Sequence, residues 1–155
     1  MKQSTKRGFG FGLTSGIITT LGILMGLYST TQSKLIILVG IISVAIADAF
    51  SDALGIHLSE ESNTKVKHSE VWKSTFATFF SKLIFAGILL IPVLIFDLKS
   101  AVLISSLLGI IILGIFSYKI ANQRKENPFK KILEHVSIAI LVIIITYSIG
   151  KVISI

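Results

Sequence analysis

Five long apolar stretches constrain this chain more than any other feature. They span residues 12–31, 35–56, 75–96, 101–118 and 132–154. Each is close to the roughly 20 residues that cross a bilayer as a helix. Together they occupy most of the 155 residues, which leaves no room for a separate soluble domain. Charged residues are only 15% of the chain, against about 25% in ordinary soluble proteins. The reading is all-α: a polytopic membrane protein with one five-helix transmembrane bundle. Pro92 interrupts the third stretch, which membrane helices tolerate.

The basic residues orient the bundle. Lys2, Lys6 and Arg7 precede the first span, and Lys65, Lys67 and Lys73 follow the second. Lys119, Arg124, Lys125, Lys130 and Lys131 separate the fourth from the fifth. The other side carries only Lys34, Lys99 and Lys151. This bias predicts an amino terminus and two longer loops in the cytoplasm, and an external carboxyl terminus. It also accounts for the net charge of +7 without nucleic acid. The first span is too long for a cleaved signal core, and no A-x-A site follows it. With no cysteine, the chain has neither disulfides nor thiolate metal sites. The expected location is the cell membrane.

Asp48 and Asp52 lie inside the second stretch, LIILVGIISVAIADAFSDALGI. A carboxylate at membrane depth is costly and usually faces a bundle interior or a water-filled cavity. Four residues apart, the two share a helix face. Counted from Ile56, Asp52 lies about 6 Å and Asp48 about 12 Å inside. Lys82 lies roughly 10 Å past Thr75, and Ser15 and Thr19 roughly 5 and 10 Å past Gly12. The expected ion path therefore joins Asp48 and Asp52 to Ser15, Thr19, Ser51 and Lys82. Lys82 is either a counter-charge to the aspartates or a snorkelling side chain that reaches the surface.

Small residues line the first two spans. Gly8, Gly12 and Gly16 repeat every four positions, as do Gly22 and Gly26. In span two, Gly40, Ala47, Ser51, Gly55 and Ser59 extend the face of the aspartates. Such stripes let helix backbones approach closely. Five spans cannot divide into two equal repeats, so a two-fold homodimer is expected, packed largely through the first two helices. Paired copies of Asp48 and Asp52 would hold a divalent ion, and like charges so close favour protonation when it leaves.

The connecting segment 57–73, HLSEESNTKVKHSEVWK, is a second concentration of ligands. His57, Glu60 and Glu61 share one helical face, and imidazole with carboxylate suits iron, manganese or zinc. A solvated helix extension with ordinary salt bridges is the competing reading.

Four segments carry a family resemblance. SGIITTLGILMG (15–26) and ADAFSDALGIHLSEES (47–62) resemble the first- and second-helix motifs of the vacuolar iron transporter family. The G-x-x-x-x-P stretch at 87–92 and ITYSIGK (145–151) resemble its third and fifth helices. The likeness spans most of the chain in the right order and is nearest to the short prokaryotic members. It implies a homodimer that moves cytosolic ferrous iron or manganese in exchange for protons. Its ion path would lie at the dimer interface. The metal is cargo, and no cofactor is expected.

Three departures matter. Ser15 stands where the family usually has aspartate, and Asp52 where it usually has methionine. The segment 57–73 is too short for the glutamate-rich domain of longer members. A carboxylate in place of a thioether moves preference toward manganese, ferrous iron or magnesium. Two other functions compete with transport. One is a non-transporting assembly or regulatory protein. The other is an intramembrane phosphotransferase, suggested by the D-x-x-x-D spacing; its signature needs acids and an arginine that residues 9–46 lack.

Overall fold

The computed structural model describes residues 3–153, and all regular structure within them is helical. The helices are α1 (Gln3–Thr30), α2 (Lys34–Glu61), α3 (His68–Ile95), α4 (Leu98–Arg124) and α5 (Pro128–Ile153). All five are long and apolar enough to cross a membrane. At 26 to 28 residues they are longer than the apolar stretches that announce them. The excess lies almost wholly at one end, the basic face, formed by the start of α1 and the α2–α3 and α4–α5 connections. A helix satisfies its backbone internally, so it continues through Lys, Glu and Ser after hydropathy has fallen. The expected loop at 57–73 accordingly shrinks to residues 62–67, with His57, Glu60 and Glu61 on the last turns of α2.

Local chemistry sets the helix ends. Ser33 caps α2, its side chain accepting from the Ile36 amide. Asp97 caps α4 by accepting from the Ser100 amide at 3.0 Å. Such side chains satisfy amides that the first turn leaves unpaired. Lys125 ends α4 in the left-handed region, at φ 56°. Pro128 then opens α5, where its fixed φ fits and no amide is needed. Lys34 donates to the carbonyls of Leu94 and Phe96, tying the start of α2 to the end of α3. A cation suits a helix C-terminus.

α1 is the axis of the molecule and packs on all four other helices. Its glycine stripe faces α3. A Cβ at Gly8 or Gly12 would overlap the carbonyl of Ser74 or Thr78, and one at Gly16 would lie 2.9 Å from the Lys82 carbonyl. The same seam carries hydrogen bonds from Thr78 Oγ1 to the Gly8 carbonyl, 3.1 Å, and from Ser81 Oγ to the Phe9 carbonyl, 2.9 Å. Gly22 and Gly26 face Val142 and Thr146 of α5. The stripe expected to meet a second chain is therefore consumed within this one. α2 differs: Ala47, Ser51, Gly55 and Ser59 lie exposed along it, and a Cβ at Gly55 would meet nothing within 4 Å. Among the described residues, two buried apolar clusters lie in the interior. One centres on Leu13, Ile17, Leu21 and Leu113, the other on Leu24, Ile37, Ile41 and Val93.

Candidate ion site

Three helices of equal length bring their midpoints together. Ser15, Asp48 and Lys82 each lie close to the centre of α1, α2 and α3, about 20 Å from either helix end. The close α1–α3 seam holds Lys82 in place, and its side chain is only 1% exposed. Lys82 does not snorkel. Its ammonium donates to Asp48 Oδ2 at 2.9 Å, to Ser15 Oγ at 2.9 Å and to Asp52 Oδ2. Three donors meet three acceptors, which is the full capacity of an ammonium group. Ser15 in turn donates to Asp52 Oδ2 at 2.6 Å. The hydroxyl thus bridges cation and anion.

The two carboxylates are less enclosed than the cation. The Asp52 side chain is 20% exposed and the Asp48 side chain 35%. Asp48 opens into a groove of about 550 Å³ between α1, α2 and α5. Thr19, Gly22, Gly26 and Thr30 form its floor, so it runs from the aspartate toward the face opposite the basic one. Its α5 wall includes Thr146 and Gly150. Thr19 lines this groove rather than the ammonium cluster, and its hydroxyl donates to the Ser15 carbonyl at 2.8 Å. Ser51 points away, on the exposed side of α2.

Toward the basic face the α1–α2 seam is closed by a second ion pair. Arg7 Nη1 donates to both carboxylate oxygens of Glu60, at 3.1 and 3.3 Å. Glu60 is 5% exposed. Arg7 lies eight residues before Ser15, and Glu60 eight after Asp52, so the pairs sit about 12 Å apart on one seam. That shared offset is the sequence signal that could have revealed Arg7.

The three ligands expected in segment 57–73 are not brought together. Glu60 turns to α1. His57 Nδ1 pairs with Thr75 Oγ1 at 2.9 Å, and the ring packs edge-on against Trp72. Glu61 is exposed, 3.9 Å from His57 Nε2. Among the described residues, no three His, Asp or Glu side chains gather where they could hold a metal. Asp48 and Asp52 are brought together by the fold, and they are joined through Lys82.

The sequence model of the VIT family matches residues 7–71 and 56–151, which together cover nearly the whole chain. No curated protein matches it. The family match spans every element of the site just described. The chain therefore belongs to the VIT family, the vacuolar iron transporters, and is an integral membrane protein of metal-ion transport rather than an enzyme.

Proposed function

We propose that the chain moves ferrous iron or manganese out of the cytosol in exchange for protons, with Asp48 and Asp52 as the carrier groups. The observation that carries this reading is the buried ammonium of Lys82 held between two carboxylates at the centre of three helices. Lys82 is a tethered cation occupying the place of a transported one. A divalent ion neutralises both carboxylates, and the ammonium beside it becomes surplus charge. The ammonium is displaced together with any proton on the carboxylates, so metal entry releases protons. When the metal leaves, the crowded carboxylates favour protonation and the ammonium closes on them again.

In this reading the basic face is cytoplasmic. The arrangement described is then the outward-facing one: the groove at Asp48 leads outward, while the Arg7–Glu60 pair closes the inner end. Opening the inner end exposes the Glu60 carboxylate to incoming metal, with His57 and Glu61 close by on the same helix end. Oxygen ligands and no thioether at Asp52 favour the harder ions of the set, with magnesium a competitor. The functional unit is a homodimer joined across the exposed small-residue side of α2, which would bring two copies of the aspartates toward one axis.

The test is flux through the purified protein in proteoliposomes carrying internal metal and pH indicators. The expected result is uptake of manganous and ferrous ions with opposite proton movement, accelerated by an opposing pH gradient. Metal flux without proton movement would remove the exchange mechanism. No flux of any divalent ion would favour the assembly-protein reading.

A further inference from the structure

The cavity at the basic end of the α1–α4 cleft lies outside the ammonium–carboxylate cluster. It measures about 620 Å³, within the range of small-molecule pockets. Leu13, Phe85, Ile112 and Phe116 form its deep part. Phe9 stands edge-on to Phe85 and Phe116, with ring centres 5.9 and 6.1 Å apart. Lys6, Arg7 and Lys119 stand at its outer end with Gln123. No acidic side chain is among its described lining residues. Glu60 holds one nitrogen of Arg7 from the α2 side, whereas Lys6 and Lys119 are exposed.

Both walls have the same polarity. On α1, Lys6 is at the helix end and Leu13 lies about 10 Å deeper. On α4, Lys119 is near the end and Ile112 lies about 10 Å deeper. A ligand that fits must be anionic at one end and apolar along the rest. An inorganic anion leaves the aromatic part unused, and a neutral hydrocarbon leaves the lysines unused. In a membrane protein, a basic pocket between helices at the surface is suited to an acidic headgroup. We infer that this cleft binds one anionic phospholipid, its phosphate between Lys6 and Lys119 and one acyl chain against Phe9, Phe85 and Phe116.

The full-length protein in detergent, exposed to equal phosphatidylglycerol and phosphatidylcholine of matched chains, tests this by native mass spectrometry. One phosphatidylglycerol per chain should be retained in preference to phosphatidylcholine. The K6Q/K119Q double variant should weaken that retention on the order of ten-fold, as expected for two basic groups at a headgroup. Ile115→Trp at the cavity rim keeps every charge and should also reduce it, by blocking the acyl chain. The K65Q/K130Q pair makes the same change in net charge away from the cleft and should leave retention unchanged. Equal retention of the two lipids would overturn the proposal. So would a K65Q/K130Q loss as large as that of K6Q/K119Q, which marks diffuse surface attraction. Unchanged binding in Ile115→Trp would overturn the acyl-chain half and leave an anion site alone. All four substituted lysines and Ile115 are exposed, so the variants should fold.

Discussion

A buried ammonium with three acceptors is a strong constraint on what each of its neighbours can become. Removing one partner of a buried ion pair typically costs about 3–5 kcal/mol, because the other is left without its counter-charge. Lys82→Met should therefore lower the melting temperature in detergent. Divalent manganese should restore much of the loss, since it can replace the missing cation between Asp48 and Asp52. The wild-type protein, already occupied by its own ammonium, should respond less to the same ion. Equal responses would mean that the carboxylates do not form a cation site. The proximity of these groups was legible in the sequence, because depth along a helix follows from residue count. The role of Glu60 was not. Its nearness to His57 and Glu61 suggested a ligand set, but the α1–α2 packing hands it to Arg7.

At the scale of helices, the glycines make opposite predictions along α1 and α2. Gly12→Leu drives a side chain into the Thr78 carbonyl of α3 and should destabilise the fold by at least the roughly 1–3 kcal/mol of overpacking. Gly55→Leu projects into open space and should leave the melting temperature of the single chain unchanged. Thermal melting followed by size-exclusion chromatography separates the two. The Asp97 cap gives a pH signature. Hydrogen bonds from Ser100 hold its carboxyl below the ordinary 3.8. A lowered folded value means the contribution is present above the ordinary value and lost as pH falls through the folded one. The stability difference between wild type and Asp97→Ala should thus be constant near neutrality and vanish at strongly acid pH. The five helices and their order were legible because apolar runs of membrane length have few other solutions. Their ends were not, since residues 57–61 and 68–73 are polar yet continue the helices. Spacing by four identifies a close-packing face, but not the helix that fills it.

For the whole molecule, the dimer expected from sequence used both of the first two helices, and the fold leaves only the second of them open to it. Glycine spacing favoured α1, which the structure surrounds with its own partners. The exposed side of α2 remains for a second copy. The chain has no cysteine, so single cysteines can be placed at will. Ser51→Cys and Gly55→Cys should cross-link two chains in membranes, and Gly12→Cys should not. The reverse pattern would mean that α1 separates from α3 in the assembled protein.

The central claim is that the two membrane-embedded carboxylates carry metal and proton together, and one measurement addresses it most directly. Coupled manganese and proton flux is compared in proteoliposomes containing wild type, Asp48→Asn or Asp52→Asn at matched protein content. Asparagine keeps the size and still accepts from Lys82, but neither binds a hard cation well nor exchanges a proton. The account predicts that both variants fold, and that each loses at least about 90% of coupled flux, a barrier increase of roughly 1.4 kcal/mol or more. Wild-type flux with normal proton dependence in both variants would contradict it.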